Sequence, residues 1–244
     1  MIRVAAVGDV HVGRDDAGRL RPHLDDLHER ADALLIAGDL TRVGDPEEAA
    51  VLAEELDGVE IPMLSVLGNH DYHSDREDEV CKILEEAGVR MLRGDNAVLE
   101  VDGETLGVSG VKGFGVGFAG AAAADFGEPV SRAFFAHARD EACCLEQLLA
   151  QLDGRVDHRV ALMHYAPVTD TLEGEPVGIW PFLGSYLLAE AVDRSGADLV
   201  LHGHAHAGSE AGTTPGGVPV RNVAQPVIRR PYHVFCLGDT ESPD

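Results

Sequence analysis

Five short motifs bring together side chains that commonly bind transition metals, and each motif comes at the end of an apolar run. In chain order they are Gly8-Asp9-Val10-His11, Gly38-Asp39, Gly68-Asn69-His70-Asp71, Met163-His164 and Gly203-His204-Ala205-His206. Mixed imidazole, carboxylate and amide ligands suit manganese, iron, zinc, cobalt or nickel and argue against a soft-metal site built on thiolates. The motifs therefore predict a metal site assembled from distant parts of the chain.

The apolar runs predict β-strands that end where the motifs begin. They occupy residues 4–7, 33–37, 63–67, 160–162 and 199–201. Because open α/β sheets bind ligands outside the carboxyl ends of their strands, we expect all five motifs along one edge of a sheet. In an extended strand end, residues i and i+2 point the same way. We therefore expect Asp9 and His11 to bind one metal ion. We expect His204 and His206 to reach a shared pair of metal ions.

In type and order, the motifs resemble the calcineurin-like metallophosphoesterase family. The family pattern is D-x-H, G-D, G-N-H-[D/E], a lone His after a strand, and G-H-x-H, and every part of it is present between residues 8 and 206. The resemblance implies an α/β fold, a four-layer α/β/β/α sandwich of two mixed sheets flanked by helices. It also implies an enzyme that hydrolyses phosphate esters with two divalent or trivalent transition-metal ions, of which manganese, iron and zinc are favoured.

The same resemblance implies a ligand set for each ion. The first ion is expected to bind Asp9, His11, Asp39 and His206. The second is expected to bind Asp39, Asn69, His164 and His204. Asp39 would bridge, because one carboxylate can hold two cations ~3.5–4 Å apart. A hydroxide between the ions is the expected nucleophile, since two Lewis acids lower its pKa. The neutral oxygen of Asn69 would leave the second ion more electrophilic than another carboxylate would.

His70 is the expected catalytic residue that binds neither metal. The resemblance assigns it to contact the phosphate and to protonate the leaving oxygen. Asp71 could orient His70, although adjacent side chains seldom pair. His73 is a candidate substrate contact because it lies just past the same motif. His202 falls outside the Gly-His-x-His frame, so we expect it to pack or to support a ligand.

Several other residues are either candidate phosphate contacts or are expected to have no role in the reaction. Arg14 and the pair Arg221 and Asn222 are candidate phosphate contacts, because a guanidinium matches phosphate oxygens bidentately. The remaining histidines carry no motif and are expected to be surface or structural residues: His23, His28, His137, His158 and His233. The four cysteines form no C-x-x-C pair, which predicts reduced thiols.

Between the motifs, the sequence predicts helices and further strands. Helices are expected around 21–30, over 46–56 with Asp45 as the cap, up to about 87 with Ser74 or Asp75 as the cap, over 135–152, and up to about 194. Residues 97–101 and 106–111 predict a β-hairpin around Asp102-Gly103. Residues 218–223 and 233–237 predict antiparallel strands. No linker or repeat interrupts the chain, so we predict a single domain over 1–244.

Composition limits the partners. A formal net charge of -24 argues against a long nucleic acid, whose binding normally needs a basic groove, and Arg229-Arg230 is the one arginine cluster. No apolar run approaches the ~20 residues that cross a bilayer, and no leader precedes the first strand, so we expect a cytoplasmic protein without a membrane partner. The oligomeric state is left open.

We therefore expect the substrate to be a small phosphorylated molecule, and we favour a phosphodiester. Phosphomonoesters and nucleotide pyrophosphates are the alternatives on the same site, and a non-catalytic scaffold of the same fold is the rival from another class. Two irregular stretches, 112–132 and 167–184, are expected to frame the pocket. Their aromatic residues either stack on a base or pack on the core: Phe114, Phe118, Trp180 and Phe182.

Overall fold

The computed structural model describes residues 1–238 of the chain. Its strands are β1 (Ile2–Val7), β2 (Ala33–Ala37), β3 (Met63–Val66), β4 (Val89–Met91), β5 (Asp95–Val101), β6 (Glu104–Gly110), β7 (Gly117–Phe118), β8 (Ala121–Ala122), β9 (His158–Leu162), β10 (Leu199–His202), β11 (Ala211–Thr213), β12 (Pro219–Asn222) and β13 (His233–Leu237). Its α-helices are α1 (Leu27–Arg30), α2 (Pro46–Leu56), α3 (Glu77–Glu86), α4 (Pro129–Leu152), α5 (Trp180–Leu183), α6 (Tyr186–Ser195) and α7 (Gln225–Ile228). Short 3-10 helices lie at Arg21–His23, His70–Tyr72, Asp170–Leu172 and Val177–Ile179. No helix in this described part is long and apolar enough to cross a bilayer.

The larger strands form two mixed sheets. The first has the order β13-β1-β2-β3-β4 and is parallel except for β13, which pairs antiparallel with β1. The second has the order β11-β12-β10-β9-β6-β5, with parallel central strands and antiparallel edge strands β11 and β5. Strands β7 and β8 form a separate small hairpin.

Alternation along the strands explains why the two sheets pack face to face. In β1, Val4 and Ala6 lie in the core between the sheets, whereas Ala5 and Val7 lie in the core beneath α2 and α3. Successive strand residues point to opposite faces, so a strand that is apolar throughout must be covered on both sides. Helices α4 and α6 cover the outer face of the second sheet, where Leu145 is fully buried. The four-layer α/β/β/α sandwich is confirmed.

Two predictions that depend on a few neighbouring residues, a helix cap and a hairpin turn, are confirmed. The Asp45 side chain accepts a hydrogen bond from the Glu47 amide at 2.9 Å and caps α2 as predicted. The β5–β6 hairpin turns at Asp102 and Gly103, with φ values of 51° and 84°. Both positive values match the turn that the Asp-Gly pair predicts.

Other element predictions were wrong in detail. The predicted helix over 21–30 is a 3-10 turn followed by one turn of α1. Neither Ser74 nor Asp75 caps α3, because the Ser74 hydroxyl donates to the Val43 carbonyl instead, at 2.7 Å. Helix α4 begins near 129, and the short strands β4 and β11 were not predicted. The two predicted antiparallel strands near the end of the chain are confirmed, since β12 pairs antiparallel with β11 and β13 pairs antiparallel with β1.

Candidate metal centre

The ligand-type residues come from both sheets. Strands β1, β2 and β3 of the first sheet lead to the motifs of Asp9, Asp39 and Asn69, while β9 and β10 of the second lead to those of His164 and His204. The prediction of one sheet edge was therefore wrong: the carboxyl ends of two facing sheets meet at one end of the sandwich. Backbone bonds join the sheets there, since the Gly8 amide donates to the Val223 carbonyl at 2.8 Å.

The backbone around the ligands is left-handed rather than extended. Asp9, His11, Asp39 and His204 have φ values of 56°, 42°, 49° and 69°. The extended backbone assumed for residues i and i+2 was therefore wrong, although the expected convergence of Asp9 and His11 is observed. Each such residue costs on the order of 1–3 kcal/mol and persists only where its surroundings determine it. Concentration of this strain in one loop cluster is typical of a functional site.

Two glycines next to ligands make room for carboxylates. A Cβ at Gly68 would lie 2.1 Å from Asp39 Oδ1, and a Cβ at Gly203 would lie 2.2 Å from Asp9 Oδ2. Any side chain there would collide with the acid, so these glycines permit a close approach of backbone to ligand. The sequence showed them only as ordinary turn residues.

A first group of four side chains converges on one point. One ligand atom from each of its members lies within 4.8 Å of the others, and the members are Asp9, His11, Asp39 and His206. His206 Nε2 lies 2.7 Å from Asp9 Oδ1, and His11 Nε2 lies 3.5 Å from both His206 Nε2 and Asp39 Oδ2. Two imidazole nitrogens facing two carboxylates form a donor set suited to a transition metal.

A second group shares Asp39 with the first. Ligand atoms of Asp39, His164 and His204 lie within 4.8 Å of one another. Asn69 adjoins this group, with its Oδ1 2.9 Å from His164 Nε2. His164 Nδ1 donates to the Ala37 carbonyl at 2.8 Å, which leaves Nε2 free to bind a cation. His204 Nε2 lies 3.2 Å from the Phe182 carbonyl, and this contact leaves Nδ1 free.

Asp39 tests whether metal ions fit the two groups. Its carboxylate is buried, and Oδ1 accepts a hydrogen bond from the His70 amide at 2.8 Å. Its Oδ2 is buried and has no hydrogen-bond partner within residues 1–238. An unsatisfied buried acceptor costs about 1–3 kcal/mol, and more when it is charged. A cation shared between the groups would remove that cost, so the residues fit a pair of metal ions.

Burial and charge keep Asp9, His11 and His204 in the forms that bind metals, whereas the hydrogen bond with Asp9 raises the pKa of His206. Burial alone would raise the pKa of Asp9, but the hydrogen bond from His206 and the charges of His164 and His206 bring it below its usual value. Burial lowers the pKa of His204 to about 3 and also lowers that of His11. A metal binds the carboxylate and the neutral imidazole. These two histidines are thus neutral near pH 7.

His70 lies beside both groups and belongs to neither. Its Nδ1 lies 2.8 Å from the Arg42 carbonyl, which can only accept, so Nδ1 carries a proton and Nε2 is available for chemistry. The ring centroid lies 4.6 Å from that of His11 and 4.5 Å from that of the exposed His73. His73 therefore borders the same opening.

Asp71 does not orient His70, and the Arg42 carbonyl does so instead. The Asp71 carboxylate is fully buried and accepts from the amides of Leu40, Thr41 and Gly68 at 3.2, 2.9 and 2.8 Å. It also accepts from the Thr41 hydroxyl at 2.7 Å. Burial and the charge of Asp39 raise the pKa of Asp71. Asp71 thus ties the loop after β2 to the loop after β3.

His202 and Asn222 form hydrogen bonds with the backbone of the Gly203–His206 turn. His202 is fully buried, with Nδ1 2.7 Å from the Gly203 carbonyl and Nε2 2.8 Å from the Thr171 hydroxyl, and burial lowers its pKa to about 4. Asn222 is also buried and donates to the Ala205 carbonyl at 2.8 Å. Asn222 is therefore occupied structurally and does not face a substrate.

The two candidate phosphate arginines are also occupied. Arg14 pairs with Asp45 and lies 2.8 Å from Glu47 on the surface. Arg221 donates to the Val220 carbonyl at 3.1 Å. The histidines without a motif are exposed or partly buried and belong to neither metal group: His23, His28, His137, His158 and His233.

Sequence reasoning missed the neighbours of the second group. Tyr165 is buried, and its ring centroid lies 5.6 Å from that of His164 and 4.6 Å from that of His204. Lys112 Nζ lies 5.1 Å from the centroids of both Tyr165 and Phe114. Burial lowers the pKa of Lys112, which the charge of Glu141 partly opposes. The one available signal was that Lys112 is one of only two lysines in the chain.

The aromatic residues of the irregular stretches mostly pack. Phe118 and Trp180 belong to a small core with Leu172, and Phe114 packs against Tyr165. Phe182 and Phe126 are the exceptions, with 63% and 84% of their surfaces exposed. Of the four residues considered for stacking on a base, Phe182 is the exposed one.

The fold and the site together define a metal-dependent phosphoesterase. The calcineurin-like phosphoesterase family model matches residues 2–208, so the chain belongs to that family.

Known proteins similar to this chain include a phosphodiesterase. Glycerophosphodiester phosphodiesterase GpdQ of Enterobacter lignolyticus (strain SCF1) is 38% identical over 63 residues, which cover 26% of this chain and 22% of that protein. The crystal structure of phosphopantetheinyl hydrolase (PptH) from Mycobacterium tuberculosis matches with a TM-score of 0.69 at 18% identity, covering 99% of this chain and 98% of that one. Haemophilus influenzae NAD nucleotidase (NadN) matches with a TM-score of 0.54 at 15% identity, covering 91% and 50%. The two structures establish the shared fold alone.

Proposed function

We propose that this protein is a two-metal phosphodiesterase that acts on small phosphorylated molecules. The observation that carries the proposal is Asp39, which belongs to both ligand groups and has one buried oxygen without a hydrogen-bond partner in the described chain. A carboxylate in this position can hold two cations at once and reduce their repulsion.

Seven side chains would hold the two ions. The first ion takes Asp9, His11, Asp39 and His206, and the second takes Asp39, Asn69, His164 and His204. The chemistry that bound ions would supply is Lewis acidity toward phosphoryl oxygens and a water acidic enough to attack phosphorus. The rest of the site fixes these ligands: the Ala37 carbonyl sets the tautomer of His164, and the Phe182 carbonyl sets that of His204.

His70 would move the proton that the leaving group needs. Its Nδ1 is held by the Arg42 carbonyl, so the ring cannot turn without losing that hydrogen bond. In the protonated ring, Nε2 then carries a proton that it can give to the departing oxygen. General acid catalysis of this kind contributes typically ~10²–10⁴-fold to a rate.

Charge and the similar enzyme favour a small diester. The net charge of -24 disfavours a long anionic polymer, because the metals can neutralise only one or two phosphates. GpdQ is a glycerophosphodiester phosphodiesterase, and this similarity supports a diester over a monoester. Phosphomonoester hydrolysis and nucleotide pyrophosphate hydrolysis are the alternatives that the same ligands could perform.

The test compares two nitrophenyl esters after the protein has been stripped with a chelator and reloaded with Mn, Zn or Fe. We expect metal-dependent hydrolysis of bis(4-nitrophenyl) phosphate at a kcat/KM above that for 4-nitrophenyl phosphate. A higher kcat/KM for the monoester would overturn the diester assignment. Turnover that survives complete chelation would overturn the metal mechanism.

A further inference from the structure

A cavity opens beside the metal ligand His206. It measures about 510 Å³, and polar side chains make up much of its wall. One side is formed by the segment from His206 to Glu210 and the other by the end of α7 with Arg229 and Arg230. The cavity therefore begins at the first ligand group and leads to two adjacent arginines.

These two arginines line the cavity and have no acidic partner among the described residues. Most arginines of the chain lie within 4.0 Å of an aspartate or glutamate, as expected with 43 acids against 19 bases. Within residues 1–238, no acid lies within that distance of Arg229 or Arg230, and both side chains are exposed. The acid on the cavity wall, Glu210, lies 2.8 Å from His233 Nδ1 instead.

The backbone that carries the arginines has an unusual conformation and is hydrogen-bonded to the metal site. Arg229 has φ 52° and ψ 34°, a left-handed conformation at the end of a helix, where glycine is the usual residue. Helix α7 is fastened to the first metal loop, because the Gln225 amide donates to the Gly8 carbonyl at 2.9 Å. The backbone that carries the two arginines is thus joined to the loop of Asp9, which follows Gly8.

We propose that Arg229 and Arg230 bind a second phosphate group of the substrate, whose scissile phosphate lies at the metal centre. A guanidinium binds phosphate oxygens bidentately. Arg230 Nε donates to the Ile228 carbonyl at 3.3 Å, and its two terminal nitrogens form no ion pair with an acid of the described residues. Two adjacent guanidinium groups without acidic partners therefore offer a dianion more than one contact. The preferred substrate is then a small phosphodiester that carries a further phosphate. This inference rests on the proposed function and narrows its substrate class.

Binding of two matched nucleotides to the metal-loaded protein tests the proposal. The probes are thymidine 5′-monophosphate and thymidine 3′,5′-bisphosphate, and calorimetry measures their dissociation constants. A charge-assisted contact changes affinity by about tenfold or more, so we expect at least this preference for the bisphosphate. Arg229→Gly and Arg230→Ala should each reduce the preference, and Arg155→Ala, which removes an exposed arginine outside the cavity, should leave it unchanged.

Kinetics separate this proposal from the assignment as a phosphodiesterase. Release of nitrophenol from thymidine 5′-(4-nitrophenyl phosphate) should fall little in either arginine variant, while release from its 3′-phosphorylated form should fall about tenfold in kcat/KM. Arg229→Gly places glycine in the left-handed position, so its melting temperature should match or exceed that of the wild type. Equal affinity of the wild type for both nucleotides would overturn the proposal, as would a preference that persists in both arginine variants. Failure to hydrolyse either ester would count only against the phosphodiesterase.

Discussion

Replacing His70 with alanine separates proton transfer from metal binding. The backbone amide of residue 70, which donates to Asp39 Oδ1 at 2.8 Å, survives this substitution. No ligand of either group is removed, so both ions should stay bound. The lost atom is Nε2, positioned through the hydrogen bond between Nδ1 and the Arg42 carbonyl. We therefore expect kcat to fall ~10²–10⁴-fold while the metal content is unchanged.

The size of the loss should depend on the leaving group. A rate loss of this size corresponds to about 3–5 kcal/mol of transition-state stabilisation. Phenol, with a pKa of about 10 like that of tyrosine, needs a proton as it leaves, whereas the more acidic nitrophenol needs little help. Methyl phenyl phosphate should therefore lose more than methyl 4-nitrophenyl phosphate. The assay is kcat for both esters, together with metal analysis of the variant.

His73→Ala is the matched control. His73 is exposed and its ring lies beside that of His70, with ring centroids 4.5 Å apart. Its loss should leave the dependence on the leaving group intact. If His70→Ala slows both esters equally, the residue binds phosphate and the reasoning about Nε2 is wrong. If the metal content falls as well, His70 supports the ions.

Three further predictions follow from burial and hydrogen bonding. His204→Ala should lose affinity for one metal ion, whereas His202→Ala should keep both ions. Equal metal loss in the two variants would contradict the assignment of His204, and not His202, as a metal ligand. Asp71→Asn places an amide NH₂ against backbone donors and should lower the free energy of unfolding by about 1–3 kcal/mol, which an unchanged urea midpoint would contradict. Burial raises the pKa of Cys81 to about 11, so near pH 8 iodoacetamide should label the exposed Cys143 and spare Cys81 in the folded protein. Mass spectrometry measures the labelling, and equal labelling of Cys81 and Cys143 would contradict the burial of Cys81.

The order of the motifs and the strands before them could be predicted from the sequence because both signals are local. An apolar run such as 33–37 predicts a buried strand, and Asp39 directly after it predicts a ligand at the strand's carboxyl end. The Asp45 cap and the Asp102-Gly103 turn are equally local. Each needs only a few neighbouring residues to form.

What could not be predicted depends on contacts between distant segments. The meeting of two sheets at the metal centre requires knowledge of how β1 and β10 are placed, and no local pattern contains that. The left-handed backbone at Asp39 and the buried role of Asp71 both arise from loops that pack together. Arg229 appeared only as half of a basic pair, since its missing acidic partners are a property of the folded surface.

Metal content measured together with activity tests the two-metal centre most directly. Elemental analysis of protein purified without chelator should find two ions per chain in the wild type. Asp39→Ala should lower the bound metal and reduce turnover of bis(4-nitrophenyl) phosphate by several powers of ten, because both ions lose a shared anionic ligand. An Asp39→Ala variant that keeps the metal content and the rate of the wild type would contradict the bridging role of Asp39 and, with it, the two-metal centre.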